Sequence, residues 1–237
     1  EEYCADIIEV VMAMTDEAKI PHPLLISESG RATVAYHSVL LVNILDSSRV
    51  EARSLPITMP ENAPECLVNL NSLMKTLSSK NRQESYHDAT YYRDEVRSLF
   101  MHGSLSLRDR AMAEEIFWNI VTRINRDIHE SKYVPDELQN LESVIADVYY
   151  GNFSVFQSLP DAWAIDQLFP VMPIHRLNEQ PTREAIISDI TCDCDGRIDN
   201  FIDLHDVKKT LLLHELKGAD YYIGVFLAGA YQETLGD

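Results

Sequence analysis

The spacing of hydrophobic positions changes three times along the chain. Ile7, Ile8, Val10, Val11 and Met14 recur at helical intervals and predict an opening helix. Pro21 and Pro23 end it, because proline lacks a backbone donor and restrains the residue before it. Leu24 to Ile26 is a short apolar run, predicted as a buried strand that stops at Glu28-Ser29-Gly30-Arg31. Ala32 to Leu45, with Val34, Tyr36, Val39 and Val42, predicts one or two further strands.

From about Pro60 to Val148 the period becomes that of four helices. Leu67, Leu70, Leu73, Met74 and Leu77 mark the first, and Tyr91, Tyr92, Val96, Leu99 and Phe100 the second, with Gly103 as its stop. Ser106 is placed to cap the third, whose apolar face runs from Met112 through Ile116, Phe117, Ile120 and Ile124 to Ile128. The fourth starts at Pro135-Asp136 and carries Leu138, Leu141, Val144, Ile145 and Val148. Packed through short loops, they would form a small bundle.

Beyond the bundle the pattern reads as all-β. Phe153 and Val155 alternate around Ser154, and Ser158-Leu159-Pro160-Asp161 predicts a turn or one helical turn. Phe169 to Ile174, Ala185 to Thr191, Thr210 to Leu213 and Tyr221 to Ala228 predict strands punctuated by Gly196 and Gly218. Strands on both flanks of a helical stretch predict a bundle inserted into a β-rich region, in an α+β chain.

Composition narrows the function classes. In 237 residues there are 20 Lys plus Arg against 38 Asp plus Glu, a formal charge of −18. That is the wrong sign for a general nucleic-acid binder. No apolar run approaches the roughly 20 residues that span a bilayer. Cys4, Cys66, Cys192 and Cys194 are read as thiols, since a chain this long buries a core without staples. The chain opens Glu1-Glu2-Tyr3-Cys4, without an initiator Met or an apolar leader, and ends at Gly236-Asp237, so a piece of a longer polypeptide is expected.

Three short motifs could carry chemistry. Glu28-Ser29-Gly30-Arg31 offers a carboxylate, an open backbone N–H and a guanidinium that can fork onto a phosphate; a polar loop with a surface ion pair fits the spacing as well. Thr191-Cys192-Asp193-Cys194-Asp195-Gly196 alternates thiols and carboxylates. Its cysteines are too close together for a usual zinc pair, which leaves a carboxylate facing a cationic substrate beside a thiol, or a plain acidic turn. Gly229-Ala230-Tyr231 puts a phenol at a strand end, where it can bond a phosphate or fill a rim position. His37, in an apolar segment, is expected to be a satisfied core histidine, and His102 to sit at a helix end where a charged ring is favoured.

The segments ISESGRATVAYHSVLLVNI, QSLPDAWAIDQLFPVMPIHRL, SDITCDCDGRID and YYIGVFLAGAYQETLGD closely resemble the C-terminal half of biosynthetic arginine decarboxylases, pyridoxal-phosphate enzymes of the alanine racemase-like class. The resemblance covers the whole chain in order and is least specific in the helical middle. It implies the end of a cofactor-binding (β/α) barrel in residues 1–31, a β-sandwich or barrel domain starting over 32–58, an inserted helical bundle over 59–148, and the rest of the β-domain over 149–237. It implies that Glu28 pairs with the pyridine nitrogen of pyridoxal 5'-phosphate (PLP), and that Gly30, Arg31 and Tyr231 bind its phosphate. It further implies that Cys192 and Asp193 reach across a dimer interface, Cys192 governing proton return to the substrate carbon and Asp193 facing the basic end of the substrate. Asp195 could help hold the guanidinium. Asp161 and Asp166 are further substrate-side candidates. Cys194 departs from the family, where serine is usual.

The same resemblance implies conversion of L-arginine to agmatine and CO2 in polyamine (spermidine) biosynthesis, in the cytoplasm, by a homodimer or dimer-based tetramer described as Mg2+-dependent. No magnesium motif is legible. The Schiff-base lysine and the histidine stacked on the cofactor ring are expected upstream of Glu1, so this chain alone is expected to be inactive. The rivals are a non-catalytic interaction module, with an acidic surface for a basic partner, and a sister decarboxylase for ornithine or diaminopimelate.

Overall fold

The structure is a computed structural model and describes residues 2–50, 57–129, 138, 141–192, 195–204 and 206–236. It opens with helix α1 (Glu2–Ala18), then runs irregularly to the one-turn helix α2 (Gly30–Val34) and a 3-10 turn over Ala35–His37. Strand β1 (Leu40–Ser48) follows. Helices α3 (Glu65–Thr76), α4 (Arg82–Met101), α5 (Leu107–His129) and α6 (Leu141–Ile145) separate it from β2 (Asp147–Gly151). Then come α7 (Val155–Ser158), α8 (Pro160–Ala164), β3 (Val171–Pro173), β4 (Arg183–Ser188), β5 (Arg197–Ile198) and β6 (Phe201–Ile202). β7 (Val207–Lys208), β8 (Leu211–Leu213), β9 (Tyr221–Val225) and α9 (Gln232–Leu235) complete the order. The architecture is α+β, as expected.

The long helices bury the stripes that the 3.6-residue period marks. Leu67, Leu70, Ala89, Val96, Ile116, Phe117, Ile120 and Ile124 meet in one core. Each fully buried Leu, Ile or Phe contributes on the order of 1.5–3 kcal/mol of apolar transfer. Gly103, at φ +74°, takes the left-handed conformation that ends α4. Ser106 caps α5 reciprocally: the Asp109 N–H donates to Ser106 Oγ (3.2 Å) and the Ser106 N–H donates to Asp109 Oδ2 (3.1 Å).

Seven strands form one mixed sheet in the order β3-β9-β1-β2-β4-β5, with β8 also on β4. Among the described strands only β2 and β4 run parallel; β6 and β7 pair separately. Val42, Ile44, Tyr149, Ala185, Ile187, Leu213 and Ile223 fill its core. Several polar groups inside are paired, although Asn43 Oδ1 on β1 is buried without a partner. Asp147, at the start of β2, accepts two bonds from Arg183, at 2.6 and 2.8 Å. Tyr221 Oη accepts the backbone N–H of His214 and pairs with its Nδ1 at 2.8 Å, while Tyr149 Oη donates to the His214 carbonyl. Burial pushes the pKa of both phenols up, which keeps them neutral.

Several expectations from periodicity are corrected. Leu24 to Ile26 is irregular and exposed, with Leu24 at 88% and Ile26 at 87%; a strand exists only with a neighbour to pair with, and none of the described strands flanks it. Residues 30–37 are helical turns rather than strand, and only Leu40 onward extends. Val148 belongs to β2, because the buried Asp147 and Tyr149 impose period two where the helical pattern was still in phase. Val155 opens α7, since the Ser154 hydroxyl accepts the Gln157 N–H as an N-cap. With α7, α8 and α9 interspersed, the last third is not all-β. His37 is exposed in the 3-10 turn rather than buried. Pro135 and Asp136 lie outside the described residues. Cys4 and Cys192 are exposed free thiols, and Cys66 is a buried one. No helix among the described residues is long and apolar enough to cross a membrane.

Candidate active site

The approach of two distant chain segments builds the first part of the site. Gly229 donates its N–H to the Ala35 carbonyl (3.0 Å), and a Cβ there would lie 2.2 Å from the Val34 carbonyl oxygen. Glycine is therefore needed for the α2 end to press against the chain leading to Tyr231. That contact sets Tyr231, at φ +68°, beside α2. The Arg31 guanidinium carbon sits 5.1 Å from the centre of the Tyr231 ring. On the same side, a Cβ built on Gly30 would stand 3.6 Å from Tyr231 Oη. Gly30, Arg31 and Tyr231 thus converge, although 200 residues separate the ends of the set.

The guanidinium is held from behind. Arg31 Nη2 donates to Asp161 Oδ2 at 2.7 Å. Gln232 Nε2 donates to the same oxygen at 2.8 Å and to the Ala230 carbonyl at 2.8 Å, and Gln232 Oε1 accepts the Asp161 backbone N–H at 3.1 Å. Asp161 and Gln232 are both buried. Burial alone would raise the Asp161 pKa. The bonds from Arg31 and Gln232, with the Arg31 charge, outweigh it and hold the carboxyl below its ordinary range. Asp161, a further substrate-side candidate from the sequence, is hydrogen-bonded to the Arg31 side chain.

One atom in this set is unaccounted for. Arg31 Nη1 is buried without a hydrogen-bond partner. Buried polar groups are almost always paired, and a forked guanidinium with one arm on a carboxylate has its other arm ready for an anion. A phosphate oxygen near Gly30 and Tyr231 would satisfy it. The residues present therefore fit a phosphorylated cofactor. Glu28 lies on the exposed chain just before them.

The second part is the turn after β4. Asp189 is buried, and its carboxylate accepts the Thr191 hydroxyl (2.9 Å) and the Val155 N–H (2.8 Å). Its own N–H donates to the Gly196 carbonyl at 2.9 Å. A Cβ on Gly196 would fall 1.8 Å from Asp189 Oδ2, so only glycine closes this turn. Cys192 and Asp195 project from it, both exposed. Asp193 and Cys194 lie outside the described residues. Through Val155 the turn is tied to α7, and α7 leads directly into α8, which carries Asp161.

A cavity of about 610 Å³ opens nearby, lined among others by Trp163, Asp166, Phe169, Arg197, Asn200 and Lys209. It includes none of Glu28, Arg31 and Tyr231. Beside Arg31, Tyr231 is half exposed. Gln232 and Asp189 were not singled out from sequence. Gln232 follows Tyr231 directly, the one signal that could have drawn attention to it.

Residues 60–142 match the arginine decarboxylase helical bundle domain. The whole chain is 48% identical to part of the biosynthetic arginine decarboxylase of Thermosynechococcus vestitus, covering 37% of that protein, and 45% identical to part of that of Phocaeicola vulgatus, covering 38%. The crystal structure of the biosynthetic arginine decarboxylase of Campylobacter jejuni superposes on 99% of the chain with a TM-score of 0.68 and 33% identity, again over 37% of that protein. The chain therefore spans little more than a third of the length of these relatives. Over its whole length it is a homologue of part of the biosynthetic arginine decarboxylases.

Proposed function

We propose, from this end-to-end kinship, that the chain supplies the β-domain, the bundle and the last part of the barrel of a PLP-dependent arginine decarboxylase, which converts L-arginine to agmatine and CO2. Residues 1–31 would end the barrel, 32–58 and 149–237 form the β-domain, and 59–148 form the inserted bundle. The observation that carries this reading is Arg31: a guanidinium oriented by Asp161, with a buried, unpartnered Nη1, beside Gly30 and Tyr231. When bound, PLP supplies a cationic ring that accepts the electron pair left as CO2 departs.

This chain's residues would do the rest. Gly30, Arg31 and Tyr231 hold the phosphate, and the Glu28 carboxylate takes the pyridine N–H. Cys192, on an exposed and tightly based turn, returns a proton to the substrate carbon in a neighbouring subunit's site. Asp193 and Asp195 offer carboxylates to the substrate guanidinium, which favours paired N–H···O geometry. Exposure of Cys192 and Asp195 supports a corner that works across a homodimer interface, or within a dimer-based tetramer. Mg2+ fits less well: among the described residues no three His, Cys, Asp or Glu side chains cluster to hold a metal. Polyamine biosynthesis in the cytoplasm is the corresponding cellular role.

The test is a decarboxylation assay on the intact protein with PLP, offering arginine, ornithine, lysine and diaminopimelate. Agmatine from arginine alone is expected, with Arg31→Ala weakening PLP binding and Cys192→Ala slowing turnover at saturating PLP. The isolated 237-residue chain should be inactive, the Schiff-base lysine being supplied from outside it. An intact protein that neither binds PLP nor releases agmatine would sink the reading.

A further inference from the structure

We infer that Asp161 and Gln232 are positioning residues that together set the phosphate-binding geometry of Arg31 and Tyr231, so that the contact between two short helices, α8 and α9, governs cofactor affinity. This rests on the reading above and adds to it a pair of residues that would act through Arg31 and Tyr231. The connections are specific. Asp161 Oδ2 takes Arg31 Nη2 at 2.7 Å and Gln232 Nε2 at 2.8 Å, which leaves Arg31 Nη1 as the buried arm without a partner. Gln232 Nε2 also holds the Ala230 carbonyl, and Gln232 Oε1 takes the Asp161 N–H. Tyr231 is thus flanked on both sides by residues fastened to α8 or to its clamp, in a backbone conformation at φ +68° that a loose chain would leave. Asp161 and Gln232 are buried while Tyr231 is half exposed, so the clamp is built into the core and the phenol works at the surface.

Two physical accounts of Asp161 make opposite forecasts. If the carboxylate only neutralised Arg31, removing it would leave a bare cation and tighten phosphate binding. If it positions the guanidinium, removing it frees the side chain and weakens binding, because a forked contact depends on orientation. Asparagine separates geometry from charge. Both N–H groups converge on a single oxygen, Oδ2, so an amide oxygen in its place can accept both.

The experiment titrates PLP into the intact apoprotein and follows the 31P resonance of the bound phosphate. Asp161→Ala and Gln232→Ala are each expected to raise the Kd for PLP about tenfold or more, the size of one lost hydrogen bond to a charged group, and to broaden or move the 31P signal. Asp161→Asn should restore most of the affinity and the wild-type 31P position. Circular dichroism of Asp161→Ala, Asp161→Asn and Gln232→Ala separates local loosening from unfolding. Asp161→Ala or Gln232→Ala that stays folded and binds PLP as tightly as wild type, or more tightly, overturns the inference. So does a loss of turnover with unchanged PLP affinity, which would move Asp161 to the substrate. Wild-type protein that fails to bind PLP would instead overturn the functional reading on which this rests.

Discussion

In the bundle, Leu67, Ile116, Ile120 and Ile124 are wholly buried, and no charged residue among the described ones is buried with them, although the half-buried Arg93 guanidinium lies 4.1 Å over the Phe117 ring. Around the sheet, Asp147, Asp161, Asp189 and His214 are about as buried as the aliphatics beside them. The bundle holds together by apolar burial, which is non-directional and tolerant of detail. The sheet region relies on paired polar groups, each costly if left alone. Directional bonds fix orientation as well as energy. The region built from them is therefore the one able to aim a guanidinium, a phenol and a thiol.

The sharpest way to break this contrast is a cavity in the bundle. Phe117→Ala should cost about 3–5 kcal/mol, read as a lowered urea midpoint of the intact protein, while the Kd for PLP stays unchanged. A cofactor defect from this variant would show that the two regions are not energetically separate. Next comes Asp147→Ala, which strands Arg183 and should cost about 3 kcal/mol by the same measurement. A paired Asp147→Leu, Arg183→Met variant should recover much of that loss, as no unpaired charge remains. Gly196→Ala forces Asp189 aside and should cost about 1–3 kcal/mol. Its signature is local: the Cys192 thiol alkylates faster as the turn loosens. Ser106→Ala removes the α5 cap at a cost of about 1 kcal/mol, seen as faster amide exchange in the first turn of α5.

The smallest effect is confined to acid. Because the folded Asp161 carboxyl titrates below its unfolded value, its contribution is complete above about pH 4 and drains away as pH falls further. Urea midpoints taken stepwise into acid should fall in wild type. Asp161→Asn should remove that part of the slope and start from a lower plateau.

The same contrast explains what the sequence made legible. A stripe of Ile116, Ile120 and Ile124 declares itself within one helix, as do the Ser106 cap and the Gly103 stop. The clamp on Arg31 does not, because its members stand 130 and 71 positions from each other along the chain and no local pattern joins them. Leu24 to Ile26 misled for a related reason: an apolar run signals burial without supplying the neighbour that would bury it. Val148 misled because a helical phase and a strand phase happen to agree at that position. Local spacing shows Gly30-Arg31 and Gly229-Ala230-Tyr231 as separate corners, and only the family resemblance joins them at one phosphate. The physical cause of that convergence is the approach of Gly229 to Ala35.

The bundle leaves the sheet at Ser48 and returns at Val148, two residues paired directly across β1 and β2. Topologically this is a hairpin whose connection happens to run for roughly a hundred residues. Closing so long a connection costs only about 3 kcal/mol more than a tight turn, because the entropy grows with the logarithm of length. The strands could accept the visitor without changing their register, and a short graft between Ser48 and Val148 would give them back an ordinary bend.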